Sequence, residues 1–347
     1  MTLIDSWGRA DGSPQRAMNF FNSCGCNPYT GYGRLELGLA KALVKLRVGF
    51  NTCWVGTERR MLPDPDLPTL VTGFAEWLED ESIAGTRKWI LTQSESTRVS
   101  QGWVDLINAH AEGVFVTNPD LVDIYRNSGV VRPVVCAGHG IELTHPVQAA
   151  GWDGESRFEW LTYSYGDLRK GAELAIMAFK RLFQGDEGHH LTIKARDHDA
   201  MWLNGLKDPQ ITVVRGQQSE SEWMGLLARS HAFLFPSRAE GFGMPPREAT
   251  LAGLPTIATE WLGMADVVCW GFPLKYTMRR CHYDTYAANA KGALWSEPDL
   301  DHLMRQMQWI YTHYGEAVSQ AVKGARYLKM NNRWDDVAGR IVEVMFA

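Results

Sequence analysis

Pro236-Ser237-Arg238-Ala239-Glu240-Gly241-Phe242-Gly243-Met244-Pro245-Pro246-Arg247-Glu248-Ala249 is the stretch on which the reading of this chain turns. It sets two carboxylates, Glu240 and Glu248, on either side of a glycine-rich turn. The apolar run Ala232-Phe233-Leu234-Phe235 precedes the turn. A helix is expected to begin at the paired prolines, whose fixed φ and missing N–H suit a first helical turn. The order is therefore strand, loop, helix. In open α/β sheets ligands bind outside the carboxyl ends of strands, and a helix amino terminus there favours a phosphate. Two carboxylates beside such an end suit a ligand with many hydroxyls and a diphosphate, as in a nucleotide sugar.

Outward from this stretch, strand-like and helix-like segments alternate along almost the whole chain, which implies parallel sheets with crossover helices. Strands are expected at 17–21, 49–55, 89–91, 114–117 and 134–136. Between them lie helices at 34–47, with Leu35, Leu39, Leu43 and Leu46 on one face, at 103–111, and after Asn118-Pro119-Asp120. Residues 58–73 carry Pro63, Pro65 and Pro68 and no clear period, which predicts a long loop. A Gly-, Ala- and Pro-rich segment at 142–155 marks a domain boundary. A second alternation follows: strands at 158–163, 191–194, 211–214, 232–235 and 255–258, and helices at 172–183, 220–229, 246–252, 299–314 and 334–345.

A chain of 347 residues is long for one domain and fits two. With 45% hydrophobic and 22% charged residues it reads as a soluble globular protein. No apolar run reaches the roughly 18 residues of a membrane span. Met1-Thr2-Leu3-Ile4-Asp5-Ser6-Trp7 lacks both the basic and the apolar parts of a secretory leader, so a cytoplasmic location is expected. The six cysteines show no zinc spacing; Cys24 and Cys26 are too close for an ordinary disulfide and are read as thiols. A net charge of −5 gives no overall attraction to nucleic acid or anionic lipid, although Arg279 and Arg280 could form a local basic patch. Fourteen tryptophans offer faces for sugar rings, but large aromatics more often fill cores.

The ordered segments resemble the GT-B glycosyltransferases of the large retaining group called family 4. Gly31-Tyr32-Gly33-Arg34 resembles that family's amino-terminal glycine loop. Asn127-Ser128-Gly129-Val130 and His139-Gly140-Ile141-Glu142 resemble the end of its first domain, and Asp167-Leu168-Arg169-Lys170-Gly171 its phosphate loop. Residues 217–227 resemble the segment beneath the nucleotide base, Pro236 to Glu248 the signature with two glutamates, and Ala252 to Ala258 the strand after it. The resemblance implies two Rossmann-like, doubly wound parallel-sheet domains facing a central cleft. An acceptor-side domain would span 1–145 and a nucleotide-sugar domain 146–330, with a helix at 331–347 packing back on the first. It also implies a UDP- or GDP-sugar donor, retention of anomeric configuration, no cofactor and no essential metal, and domain closure around 142–155.

The same resemblance assigns roles. Glu248 would accept the ribose hydroxyls, where the plain reading is a helix-terminal carboxylate. Glu240 would face the transferred sugar near its anomeric carbon, where the plain reading is an exposed loop residue. Gly241 and Gly243, with the amides of Phe242 and Met244, would approach sugar and phosphate oxygens. Lys170 would neutralise the leaving diphosphate. Where relatives carry Gly-Arg a few residues earlier, this chain has Ser164-Tyr165, so the second cation is Arg169, with Lys194 or Arg215 as alternatives. Glu240, Lys170 and Arg169 form the expected catalytic set. Gly31 and Gly33 are expected to admit the donor phosphates, or else to make a simple turn. Asp197-His198-Asp199 is read as a surface loop rather than a metal site, and His110 and His139 as packing residues. Glu95 is the candidate acceptor-binding residue. The acceptor hydroxyl, on a glycan, a lipid-linked sugar, a protein or a modified nucleobase, stays open, as does the oligomeric state. A sugar-nucleotide epimerase and a non-catalytic nucleotide-sugar-binding protein are the alternative functions.

Overall fold

The computed structural model describes residues 16–27, 30–54, 64–81, 83, 85–143, 145, 147–164, 168–195, 201–281 and 291–347. Two compact units emerge: Met1–Gly140 with Cys281–Ala293 and Asn332–Ala347, and Ile141–Arg280 with Leu294–Asn331.

The first unit is built on a six-stranded sheet of β1 (Ala17–Asn22), β2 (Gly49–Trp54), β3 (Pro68–Thr72), β4 (Thr86–Thr92), β5 (Gly113–Val116) and β6 (Val134–Cys136). Their order is β2-β1-β3-β4-β5-β6, and every pairing is parallel. Parallel strands need crossovers, supplied here by helices that include α1 (Gly31–Lys45), α2 (Gln101–His110) and α3 (Asp120–Asn127). Leu35, Leu39 and Leu43 of α1 bury themselves against Met18 and Phe20 of β1. Leu46 does not join them: it caps the helix and is 42% exposed. The long loop expected over 58–73 is also wrong in part. Its end forms β3 in the middle of the sheet, and Pro68 is tolerated because it is the strand's first residue.

The second unit repeats the plan with β7 (Phe158–Ser164), β8 (His189–Ala195), β9 (Ile211–Val214), β10 (Ala232–Phe235), β11 (Thr256–Thr259) and β12 (Phe272–Leu274), in the order β12-β11-β10-β7-β8-β9. Alternation along β10 shows why it is doubly wound. Ala232 and Leu234 face one core, shared with α4 (Ala172–Phe183) and α8 (Leu300–Thr312). Phe233 and Phe235 face the other, shared with α5 (Glu220–Ala228), α6 (Met244–Leu251) and α9 (Tyr314–Asn331). A short helix α7 (Val267–Trp270) and an antiparallel pair, β13 (Tyr276–Arg280) and β14 (Leu294–Pro298), complete the unit. The chain then returns to the first unit as α10 (Trp334–Met345), which buries Val337, Ala338, Ile341 and Met345 in the core that α1 shares. No helix among the described residues is long and apolar enough to cross a membrane.

Candidate functional site

β7 and β10 are neighbours at the centre of the second sheet, so the turns leaving their carboxyl ends meet. The first is a 3-10 turn, Leu168–Lys170, followed by Gly171, the N-cap of α4. Gly171 has φ +67°, and a Cβ there would stand 1.9 Å from the Pro236 carbonyl oxygen, so only glycine fits. The second turn fastens to the first through the Arg169 carbonyl, which accepts from the Arg238 N–H at 2.6 Å and the Ser237 hydroxyl at 3.1 Å. Arg238 adds a second tie. Its guanidinium pairs with Glu173 of α4 at 2.6 Å and Glu297 of β14 at 2.7 Å.

Glu240 lies where these turns meet, and it is buried rather than exposed. Its Oε1 accepts from Lys170 Nζ at 2.5 Å and from the Ser237 hydroxyl at 2.8 Å, with Arg169 Nη1 at 3.5 Å. Arg169 also donates to the Ala239 carbonyl at 2.8 Å. Burial pushes the Glu240 carboxyl up, but the Lys170 ammonium and the Arg169 guanidinium outweigh it and hold the group below its ordinary value. Two cations against one carboxylate leave the cluster net positive, directly before the amino end of α4, whose N-cap is a glycine with no capping side chain. That is anion-binding chemistry.

Downstream, Gly243 (φ +81°) is the N-cap of α6. The helix starts at Met244, one residue before the prolines. Glu248 is therefore its fifth residue and not in the first turn, as its spacing from the prolines had implied. It is 1% exposed and accepts from the Trp223 indole N–H at 2.8 Å, which fixes the carboxylate's orientation. Pro245 and Pro246 have no N–H, so Met244 and Arg247 are the donors among the first four helical positions. Arg247 braces the glycine turn from inside. It donates to the Phe242 carbonyl, to the Gly263 carbonyl at 2.9 Å and to Asp266 at 2.5 Å, and lies over the rings of Phe242 and Trp270.

The first unit holds the remaining candidates. Gly31 and Gly33 are the first and third residues of α1, not part of a loop before it. Thr30 caps the helix by accepting from the Gly33 N–H at 3.0 Å. A Cβ on Gly33 would stand 2.0 Å from the Asn27 carbonyl oxygen, so this glycine is needed for the turn to lie against the helix. Glu36, fully buried on α1, gathers that turn: it accepts from the Ser23 hydroxyl at 3.1 Å, the Cys24 and Cys26 N–H groups at 3.1 and 2.9 Å, and the Thr72 hydroxyl at 2.7 Å. Burial, with Glu36 and Cys24 nearby, pushes the Cys26 thiol up to about 12. Glu95 is half-buried just past β4, in reach of the Tyr32 phenol electrostatically. His139 is buried against the Trp334 ring at 4.9 Å. Tyr165, Asp167 and Asp197-His198-Asp199 lie outside the described residues.

The structure thus brings Glu240, Lys170 and Arg169 together, sets Glu248 beside Trp223, and leaves Gly31, Gly33 and Glu95 in the other unit. Sequence reasoning missed Ser237, Trp223, Arg247 and Glu36. Ser237 and Arg247 stand inside the opening stretch. Glu36 had a visible signal, a carboxylate among the core-facing residues of a periodic helix.

Comparison with known proteins agrees with this architecture. Residues 131–341 match the model of a family described as family 4 glycosyltransferases in conflict systems. Glycogen synthase of Mycobacterium tuberculosis is 23% identical over 266 residues, spanning 67% of this chain and 61% of that protein. Among solved structures, sucrose-phosphate synthase from Thermosynechococcus elongatus superposes with a TM-score of 0.69 at 13% identity, covering 95% of this chain and 98% of that one. The catalytic domain of starch synthase IV from Arabidopsis thaliana, bound to ADP and acarbose, gives 0.67 at 10% identity, covering 95% and 98%. The match to more than half of its length, on two doubly wound parallel sheets, places this chain among the family 4 glycosyltransferases of conflict systems.

Proposed function

We propose that this protein transfers a sugar from a nucleotide diphosphate sugar to an acceptor hydroxyl, with retention of configuration and without an essential metal ion. The observation that carries the reading is the buried Lys170–Arg169–Glu240 cluster at the amino end of α4. A diphosphate leaving group develops charge as its bond to the anomeric carbon breaks, and two fixed cations with a helix end stabilise it where reorganisation costs least. Glu248, oriented by Trp223, accepts the ribose hydroxyls. Among the described residues the three side-chain contacts of Glu240 fall on Oε1, which leaves Oε2 to face the sugar. Held ionised, it offsets positive charge growing on the anomeric carbon. The acceptor oxygen then bonds to that carbon on the face the diphosphate leaves, and its proton passes to the departing phosphate oxygen.

Thermal stabilisation by nucleoside diphosphates and their sugars tests the site, with Glu248→Gln as control because glutamine still accepts from Trp223. One nucleotide raising the midpoint in the parent and less in the variant is expected. Proton NMR of the glycosylated product should show an anomeric configuration matching the donor, with turnover surviving EDTA. An inverted product, or turnover lost to EDTA and restored by a divalent ion, would refute the mechanism. Epimerisation of the donor without acceptor would replace transfer by isomerisation.

A further inference from the structure

The cationic cluster accounts for the phosphates and Glu248 for the ribose, but neither reads the base. A second lysine stands at the far end of the same core. On β8, Lys194 is in register with Tyr163 of β7, and its Nζ lies 4.4 Å from the centroid of the Tyr163 ring and 5.7 Å from that of Trp223. Tyr163 and Trp223 meet edge to face at 6.1 Å. The same Trp223 indole gives its N–H to Glu248 at 2.8 Å. One ring therefore links the ribose carboxylate to a fixed ammonium.

A row of rings separates this ammonium from the phosphate cluster. Lys170 Nζ lies 5.5 Å from the Phe235 centroid, Phe235 stacks on Phe233 at 5.9 Å, and Phe233 meets Trp223 at 6.1 Å. Lys170 and Lys194 mark opposite ends of the row, with Glu248 joined to Trp223, the row's ring at the Lys194 end. A nucleotide with its diphosphate at Lys170 and its ribose on Glu248 points its base toward Lys194, not its phosphates.

We propose that Lys194 reads the donor base, and that it selects a base with a carbonyl at its edge, uracil or guanine, over one with an amino group there, adenine or cytosine. An ammonium has three donors and no acceptor. Uracil O4 and guanine O6 accept from it, whereas adenine N6 and cytosine N4 are themselves donors and oppose it. The Tyr163 and Trp223 rings hold Nζ by cation–π attraction, so the donor is set before the ligand arrives. The inference rests on reading Glu248 as the ribose carboxylate.

The test is calorimetric titration of UDP, GDP, ADP, CDP and inorganic pyrophosphate into the parent, Lys194→Met and Lys194→Arg. UDP or GDP is expected to bind at least about tenfold more tightly than ADP and CDP, the discrimination of a charge-assisted hydrogen bond. Lys194→Met should remove that preference by weakening the carbonyl-bearing nucleotide alone, with pyrophosphate unchanged, and Lys194→Arg should keep it. ADP or CDP binding as tightly as the best of the others overturns the inference and leaves the donor site standing. Equal weakening of all four nucleotides and pyrophosphate in Lys194→Met also overturns it, since Lys194 would then serve the phosphates or the fold. Binding of no nucleotide by the parent overturns the proposed function and this inference together.

Discussion

Each unit buries a glutamate beside the carboxyl end of its sheet, and the two meet opposite surroundings. Glu36 in the first unit accepts, among the described residues, only from neutral donors, two hydroxyls and two backbone N–H groups, and burial leaves its carboxyl above the ordinary value. Glu240 in the second accepts from Lys170 and Ser237 beside Arg169, and those cations hold it below that value despite similar burial. Neutral donors suffice to gather a turn. Desolvating two cations and a carboxylate together costs several kcal/mol per ion before their attraction offsets it, which a clamp does not need and an anion site does. The contrast separates a residue that shapes a loop from the cluster proposed to hold the donor.

The largest effect that could break this contrast is removal of one charge from the cluster. Lys170→Ala leaves Glu240 buried with the Ser237 hydroxyl and, as its cation, the longer Arg169 contact. It should lower unfolding free energy by about 3 kcal/mol, the low end for a broken buried pair, and slow transfer by roughly 100-fold or more. Glu36→Gln, which keeps an acceptor oxygen, should cost only about 1 kcal/mol. Urea denaturation of both variants and a transfer assay decide it. Equal losses of stability would show that the charge at the second glutamate carries no special weight.

How much of this was legible in the sequence follows the range of the signal. The strand, glycine turn and helix around Glu240 were local and readable, and so were adjacent Arg169 and Lys170. That Lys170 would touch Glu240 was not: 70 residues separate them, and only the neighbouring of β7 and β10 joins them. β3 was hidden by Pro63, Pro65 and Pro68, whose breaker signal outweighed the short β-prone run Thr69-Leu70-Val71-Thr72. α9 was missed because Ala317, Ala321, Gly324 and Leu328 make its buried face, mostly too small to register as apolar periodicity. The small size has a cause, since a Cβ on Gly324 would stand 2.1 Å from the Trp270 carbonyl oxygen.

A second comparison tests the turns themselves. Gly171 and Gly33 each face a carbonyl oxygen, at 1.9 and 2.0 Å from the position of an added Cβ, but only Gly171 also has a positive φ. Alanine at either site forces an overlap that costs about 1–3 kcal/mol, and the left-handed backbone adds about 1–2 at Gly171. Gly171→Ala should therefore be the more destabilised, by about 1 kcal/mol or more, and should lose nucleotide binding as the turns part. Gly33→Ala should keep nucleotide binding. If Gly33→Ala abolishes it instead, the glycines of α1 belong to the donor site after all.

The finest test uses pH, because the two glutamates titrate in opposite senses. Glu36 is raised, so its contribution to stability is full below the ordinary glutamate value of 4.5 and is lost as pH rises through its higher folded pKa. Glu240 is lowered, so its contribution is full above 4.5 and is lost as pH falls through its lower folded pKa. Glu36→Gln fixes the neutral form and should flatten only the window above 4.5, where one proton changes stability by no more than about 1.4 kcal/mol per pH unit. The stability difference between variant and parent should then move in the variant's favour as pH rises from 4.5 toward 7, while acid unfolding below 4.5, to which Glu240 and the other lowered carboxylates contribute, stays where it was. Urea midpoints across that range report it. A difference that stays constant would mean Glu36 is ionised throughout, held by its four neutral donors as firmly as Glu240 is by its cations, and the two sites would differ in geometry alone.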